Sequence, residues 1–258
     1  MMHSFVQMVA SSVDIVALGA LFIFALFFIL FTLRAFGGGR FPLRHIPLYE
    51  RIRHLIAQAI ETNRPLHIGL GSGGLGSVDM AESLMALTVF ASCVRQTTVA
   101  EHALRGTTAD GTVLAAALGI LHRQAREAGH SRHSQSKEVL FYGPDPFAYA
   151  GGVRQTLATE PHLANILTGH FGGEGLWISE ANVTRVYPQL GGTAPPTAAA
   201  LFALSLDDYI IGEDLFAAGA YLGRTSHLGS LATQDLMRIV TILAVLVGVV
   251  LTSLGYWG

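Results

Sequence analysis

A glycine-rich stretch at residues 71–76, Gly-Ser-Gly-Gly-Leu-Gly, matches the pattern G-x-G-x-x-G. It follows the apolar run 66–70 and precedes a helical pattern, which is the strand–loop–helix context that the dinucleotide-binding motif requires. In that motif the glycines allow a tight turn and let backbone amides approach a pyrophosphate at a helix N-terminus. Glu101, at the end of a predicted second strand, could accept a hydrogen bond from a ribose hydroxyl. The stretch predicts a ligand-facing loop, with NAD(P) or FAD as one candidate ligand.

The residues after this loop argue against a bound phosphate. Ser77 is the natural N-cap of the next helix, and Asp79 and Glu82 fall in its first turn. These carboxylates offset the helix dipole and would repel a phosphate group. No lysine follows the glycines, so the stretch is not a P-loop. A neutral or cationic ligand, or close packing of the backbone, is favoured over a bound dinucleotide.

A serine nucleophile is the second chemistry that the loop could support. Ser72 lies in Leu-Gly-Ser-Gly-Gly, which lacks the first glycine of the G-x-S-x-G motif of hydrolases. His170 and Asp145 follow other predicted strands and could complete a triad in principle. Because the chain contains many histidines and acids, this combination can arise by chance, and we assign no catalytic residue from the sequence.

Metal ligands and disulfides are not indicated by the sequence. His122, His130 and His133 lie in a polar helix end and loop, where a solvated connection is the expected role. Cys93 is the single cysteine, which excludes a disulfide or a cysteine-based zinc site within one chain. The sequence therefore predicts no metal site and requires no cofactor.

Composition indicates a membrane protein. Only 13% of the 258 residues are charged, against about a quarter in ordinary soluble domains, and the mean hydropathy is +0.46. Residues 15–33 and 239–257 are uncharged runs that would span about 28 Å as helices, close to the thickness of a bilayer core. We predict transmembrane helices at 15–33 and within 238–258. A cleaved signal peptide is disfavoured for the first run, because no basic region precedes it. The net charge of −2 argues against nucleic acid as a partner.

Arginines predict the orientation in the bilayer. Arg34, Arg40 and Arg44 follow the first run, Arg238 abuts the second, and neither terminal tail contains a basic residue. The positive-inside rule then places the intervening chain in the cytoplasm, on the inner side of the cell membrane, and both termini, with the tail 1–14, outside. Because the runs contain no interior ionisable residue, they are predicted to be anchors rather than a transport pathway.

Between the anchors, short apolar runs alternate with longer amphipathic ones. Residues 34–47 form a Gly/Pro/Arg-rich linker, and residues 48–237 form the folded domain. After a helix that starts at residue 48, the predicted strands are 66–70, 98–103, 138–142, 163–169 and 198–204, and the predicted helices are 77–96, 111–128, 146–159, 174–184 and 213–223. This alternation predicts an α/β, Rossmann-like, mainly parallel sheet with helices on both faces. A last helix is expected to run into the second anchor.

Glycine-rich loops cluster at the carboxyl ends of the predicted strands. They are residues 69–77, 142–146 and 169–175, together with 190–193, which precede the final predicted strand. Ligands of open parallel sheets bind beyond the carboxyl ends of the strands, so these loops predict a crevice. The alternative is that the glycines serve tight turns and strand–helix packing. The candidate ligand-binding residues are Gly71, Ser72, Gly73, Gly74, Gly76, Ser77, Asp145, His170 and Glu174.

Residues 207–223 combine acids with small side chains. The acids are expected to cap a helix, and they are Asp207, Asp208, Glu213 and Asp214. The small residues 217–220 would allow that helix to pack closely on a neighbour in the same chain or in another subunit. The candidate assembly surface comprises Glu213, Phe216, Gly219 and Ala220.

Four motifs together carry a family resemblance: GSGGLGSVDMAESLMAL, YGPDPFAYAGGV, QLGGT and IGEDLFAAGAYLG. Over residues 40–250 the chain resembles an uncharacterised family of prokaryotic membrane proteins with a cytoplasmic α/β domain bounded by hydrophobic helices. The resemblance implies architecture and membrane location, and it transfers no catalytic residue.

The function hypotheses follow from these patterns. We interpret the protein as a scaffold or ligand-binding subunit that contacts the lipid bilayer and forms a homo-oligomer or joins a larger membrane complex. The alternative is a membrane-tethered, nucleotide-dependent oxidoreductase that uses residues 71–76. A serine hydrolase based on Ser72 is a third hypothesis.

Overall fold

The computed structural model describes residues 15–37, 44–97, 104–127, 138–181, 187–223 and 225–254. The chain divides into two compact units. One is formed by residues 1–44 and 224–258 and contains two long apolar helices, and the other, His45–Gly223, is an α/β domain.

Six parallel strands form one sheet in the described part of the domain. They are β1 (Leu66–Gly71), β2 (Leu104–Thr108), β3 (Glu138–Phe141), β4 (Ala164–His170), β5 (Gln189–Thr193) and β6 (Asp208–Ile211). The order is β3-β2-β1-β4-β5-β6, so the chain extends the sheet first on one side of β1 and then, from β4, on the other. The boundary between β1 and β4 is therefore a topological switch point, where ligand crevices of such sheets occur.

Helices cover both faces of this sheet. Those of the domain are α2 (Pro47–Thr62), α3 (Met80–Gln96), α4 (Gly111–Glu127), α5 (Pro146–Thr159), α6 (Glu174–Ser179), α7 (Pro196–Ser205) and α8 (Ala218–Tyr221), and α1 (Ile15–Phe36) precedes them. On β2, Thr107 contacts Tyr149 of α5, whereas the neighbouring Gly106 faces Phe90 of α3. Because successive strand residues point to opposite faces, α5 and α3 cover different faces. Helices α5, α6 and α7 enclose a core that includes Leu167 of β4.

Most of the predicted elements are confirmed. The first, third and fourth predicted strands agree with β1, β3 and β4 within about one residue, and the helix 146–159 agrees with α5. The predicted strand 98–103 lies outside the described residues, and β2 begins at Leu104. The helix predicted at 213–223 is instead a 3-10 helix, Gly212–Ala217, followed by the short α8.

The end of the domain was predicted wrongly. Residues 198–204 form part of α7, and the last two strands are β5 and β6. A short apolar run cannot be assigned to strand or helix by periodicity alone. Alanine is the strongest helix former, and Pro196 fits the first helical position, so Pro-Thr-Ala-Ala-Ala begins a helix. The segment 190–193 is consequently a buried strand rather than a loop.

Two long helices, α1 and α9 (Thr225–Ser253), pack against each other in the other unit. A Cβ added at Gly229 would lie 2.6 Å from Cα of Thr32, so no side chain fits at this approach. By length and composition both helices could cross a membrane, since Leu18–Phe36 and His227–Ser253 each contain an 18-residue stretch with a mean hydropathy of 2.3. The continuity of α9 confirms that the last helix runs into the second apolar segment.

A buried row of polar side chains crosses four strands on the face covered by α5. Nδ1 of His67 donates to Oδ1 of Asn165 at 2.7 Å, and Nδ2 of Asn165 donates to Oε1 of Gln189 at 3.0 Å. On the other side, the hydroxyl of Thr107 lies 3.0 Å from Nε2 of His67. His67 is completely buried, and burial, with Coulombic repulsion from His162, lowers its pKa to about 3. The imidazole is therefore held neutral, which allows it to donate through one nitrogen and accept through the other.

Candidate functional site

The loops that follow β1 and β4 meet at the switch point. The backbone amide of Ser72 donates to the carbonyl oxygen of His170 at 2.9 Å, and this bond joins the ends of the two strands. Three predicted candidates, Ser72, His170 and Glu174, are thereby brought together at the carboxyl edge of the sheet. We call the space between these two loops the switch-point crevice.

Glu174 is the most buried acid of this crevice, with 3% of its surface exposed. Its Oε1 accepts a hydrogen bond from the hydroxyl of Ser72 at 2.8 Å and another from the amide of Gly172 at 2.9 Å. Two donors on one oxygen compensate for burying the charge. The hydroxyl of Ser72 is thus directed to a carboxylate and not to an imidazole base.

His170 forms an ion-pair cluster with the start of α3. Its Nδ1 lies 3.3 Å from Oε2 of Glu82 and 3.4 Å from Oδ1 of Asp79. Glu82, followed by the charges of Asp79 and Glu174, raises the pKa of His170, although partial burial opposes the shift. The cluster therefore favours the imidazolium form of His170, which is about one-quarter exposed.

The amides that would cradle a phosphate in the dinucleotide motif are bound by the chain itself. The amide of Gly74 donates to the hydroxyl oxygen of Ser77 at 3.3 Å, and that of Leu75 donates to the hydroxyl oxygen of Thr112 at 2.9 Å. The amide of Ser72 donates to the carbonyl oxygen of His170. Three amides of the loop therefore already have acceptors, which removes donors that a pyrophosphate would require.

Glycine is required in this loop for contacts within the protein. Gly71 has a φ of +83°, and a Cβ there would overlap the carbonyl oxygen of His170. A Cβ on Gly73 would lie 2.8 Å from Cβ of His170, and one on Gly74 would lie 2.8 Å from Oδ2 of Asp110. Only Gly76, among these four, has open space beside it. The packing alternative accounts for three of the four glycines.

Carboxylates also occupy neighbouring helix starts at this edge. Oδ1 of Asp110 accepts hydrogen bonds from the amides of Thr112 and Val113, at 2.8 Å and 3.0 Å. Partial burial raises the pKa of Asp110, but a hydrogen bond from the Thr112 hydroxyl, together with these amide bonds, outweighs it and holds the pKa below its usual range. Asp145 accepts from the amides of Phe147 and Ala148 at the start of α5. The positive ends of the helix dipoles are therefore offset by protein carboxylates.

The structure separates the other predicted residues from the crevice residues. Because Asp145 caps α5 and Ser72 bonds to Glu174, the triad with His170 is not formed. Ser77 stabilises the turn before α3 by accepting from the amide of Asp79, and the helix itself begins at Met80 rather than at residue 77.

The candidate assembly surface is partly buried within the domain. Gly219 and Ala220 are buried in the domain, where α8 packs on α3, while Glu213 is exposed and Phe216 is half-buried. Glu101, His130 and His133 lie outside the described residues, and His122 is exposed on α4. Within the described ranges, no group of three or more His, Cys, Asp and Glu side chains is arranged to hold a metal ion.

Asp110 and Thr112 are site residues that sequence analysis missed. Their signal was Asp-Gly-Thr directly before an apolar helical pattern, which is typical of a helix N-cap. The predicted second strand ends at residue 103, before β2 begins, so the sequence does not assign these residues to the carboxyl edge.

The strand order and the switch-point crevice define a Rossmann-like α/β domain, in a chain with two apolar helices that could cross a membrane. The chain belongs to a family described as a domain of unknown function (DUF6754), whose model matches residues 6–257. The predicted membership of an uncharacterised family is confirmed. No curated protein matches the chain.

Proposed function

We propose that the protein is a membrane-anchored ligand-binding subunit without catalytic activity of its own. The observation that carries this proposal is that amides of the loop 71–76 already donate to oxygens of the chain itself, and that three of its glycines pack against other residues. Carboxylates also lie at the surrounding helix starts. A phosphate would find amides that are already bonded, and it would be repelled by four nearby acids: Asp79, Glu82, Asp110 and Glu174. A neutral or cationic ligand would find hydrogen-bond acceptors and negative charge. Ser72, His170 and Glu174 are the proposed contact residues.

In this proposal residues 48–237, which include nearly all of the α/β domain and the start of α9, lie in the cytoplasm, attached through residues 34–47. The tail 1–14 and the C-terminus lie outside the cell membrane, with 15–33 and 238–258 as the anchors. The proposal is supported by the arginines that flank the domain side of both apolar helices and by their absence from the tails.

Thermal unfolding of the purified full chain in detergent tests the ligand class. We expect spermidine or choline to raise the unfolding temperature by a few degrees, and NAD or FAD to leave it unchanged. Glu82→Gln should reduce the shift with the cations, because it removes a charge from the crevice. Asp208→Asn, which alters an acid of the edge strand β6, is the matched control and should retain the shift. Stabilisation by NAD or FAD and none by cations would contradict the proposal.

We further propose that the domain self-associates or joins a larger membrane complex. Large apolar side chains stand exposed at the carboxyl edge, including Val78, which is 99% exposed, and the pair Phe147 and Trp177. The two rings of that pair meet edge to face, with centroids 5.4 Å apart. Exposed apolar groups of this kind are typical of interaction surfaces when they are contiguous.

Native mass spectrometry in detergent tests this assembly. We expect oligomers of the full chain, and Trp177→Ser should shift the population towards the monomer because it removes apolar contact area. Leu204→Ser, at an exposed apolar residue of α7, is the control and should leave the distribution unchanged. Monomers alone, at every protein concentration and in milder detergents, would show the proposal to be wrong.

The nucleotide-dependent oxidoreductase remains the second candidate function. The observation in its favour is the position of G-x-G-x-x-G directly after β1 at the switch point, in a sheet of Rossmann strand order. The thermal experiment above separates the two, since stabilisation by NAD or FAD would favour the oxidoreductase.

A further inference from the structure

Helix α3 connects the switch-point crevice with the place where the chain leaves the domain. Its first turn contains Glu82, which pairs with His170 in the crevice. The helix has 17 residues and is therefore roughly 25 Å long. Near its other end, the guanidinium of Arg95 donates to the carbonyl oxygen of Leu222 at 3.3 Å. One rigid element thus contacts both the crevice and the last residues of the domain.

The same departing segment is held from α2. The ring of Tyr49 stacks on that of Tyr221, with centroids 5.2 Å apart, and Arg53 donates to the carbonyl oxygen of Tyr221. The hydroxyl of Tyr49 donates to the carbonyl oxygens of Asp214 at 2.7 Å and Leu215 at 3.1 Å. Burial, with the charge of Asp214, raises the pKa of Tyr49, so its hydroxyl stays protonated and can donate. We call Tyr49, Arg53 and Arg95, with the segment 214–222 that they hold, the exit clamp.

The exit clamp contains residues close to both connections of the domain. The domain begins at His45, shortly before Tyr49, and it ends at Gly223, directly after Leu222. Along the chain, α9 starts at Thr225, so a change in the backbone of 214–222 is only a few residues from the C-terminal apolar helix. The small residues Ala218, Gly219 and Ala220 of α8 are buried where α8 packs on α3.

A void lies beside the exit clamp. A cavity of about 10 Å³, the space of one water molecule, is lined by side chains that include Tyr49, Ile52 and Leu215 and by Thr168 of the sheet. Atoms that border a void lack packing contacts on that side, so they can shift at lower cost than atoms in a filled core.

We infer that α3 couples the switch-point crevice to the exit clamp, so that a change of structure at one alters the other. When the pair between His170 and Glu82 is broken, the start of α3 loses one of the two ion pairs that attach it to the end of β4, and the helix moves as a unit. The bond between Arg95 and Leu222 and the packing of α8 are loosened as a result. The inference uses the proposed ligand-binding function only to name the event that would break the pair in the cell.

Hydrogen exchange of the full chain in detergent, read by mass spectrometry without any ligand, tests the coupling. We expect Glu82→Gln to accelerate amide exchange in residues 212–222 by roughly fivefold or more, the usual lower range of coupling between sites. Asp145→Asn, which removes a carboxylate from the start of α5 at the same edge, should leave that segment unchanged. Because coupling is reciprocal, Arg95→Gln should accelerate exchange in residues 71–84.

Exchange that changes only within residues 71–84 in Glu82→Gln, and only near the exit clamp in Arg95→Gln, would overturn the inference. If Glu82→Gln does not fold, Arg95→Gln alone decides, since it leaves the crevice residues intact. Failure of every tested ligand to bind would reject the proposed function but would not affect this result.

Discussion

Gly71→Ala is expected to destabilise the domain by more than about 4 kcal/mol, whereas Gly76→Ala should change its stability by less than about 0.5 kcal/mol. Gly71 adopts a φ of +83°, which a side chain disfavours, and its Cβ would overlap the carbonyl oxygen of His170. That carbonyl cannot withdraw without breaking its bond to the amide of Ser72. Gly76 has no atom within 4 Å of an added Cβ, so alanine is accommodated there.

Urea unfolding of the full chain, followed by circular dichroism, measures both effects. The two variants lie in the same loop and make the same chemical change, so Gly76→Ala is the control for Gly71→Ala. If the glycines of this loop existed to admit a ligand, both variants would fold normally and would differ from the wild type only in binding. Similar stability of the two variants would therefore contradict the packing explanation.

The start of this site was predictable from the sequence because its determinants are local. An apolar run followed by glycines and a helical pattern identifies a strand, a turn and a helix wherever they occur. The carboxyl ends of parallel strands lie at the same edge, so Ser72, His170 and Glu174 could be assigned to one crevice before their contacts were known.

The reason for each glycine was not predictable, because the partner that fills its space is distant in sequence. Gly71 and Gly73 pack against His170, the last residue of β4, and Gly74 packs against Asp110. The small residues of α8 indicated close packing, but the sequence could not show whether the packing partner is α3 of the same chain or another subunit. The wrong prediction of a strand at 198–204 has a similar origin, because the true strand, β5, is identified only by its pairing with β4.

Acid will destabilise the protein through His67, the second large effect that we expect. Its pKa is about 3 in the folded state and near 6.5 in the unfolded chain. Well above pH 6.5 the imidazole is therefore neutral in both states, and it does not make stability depend on pH. As the pH falls below 6.5, the unfolded chain binds a proton that the buried imidazole cannot accept. The free energy of unfolding should then decrease, with a slope that approaches about 1.4 kcal/mol per pH unit well below pH 6.5.

His67→Gln is the variant that isolates this contribution. It should be less stable than the wild type at neutral pH, because glutamine matches the acceptor of Asn165 and the hydroxyl of Thr107 less well. Its stability should nevertheless depend less steeply on pH between 6.5 and 4.5, and the two urea-unfolding profiles should converge towards the acidic end. His122→Gln, at an exposed histidine, should retain the wild-type slope. Equal slopes for the wild type and His67→Gln would mean that another group causes the acid sensitivity.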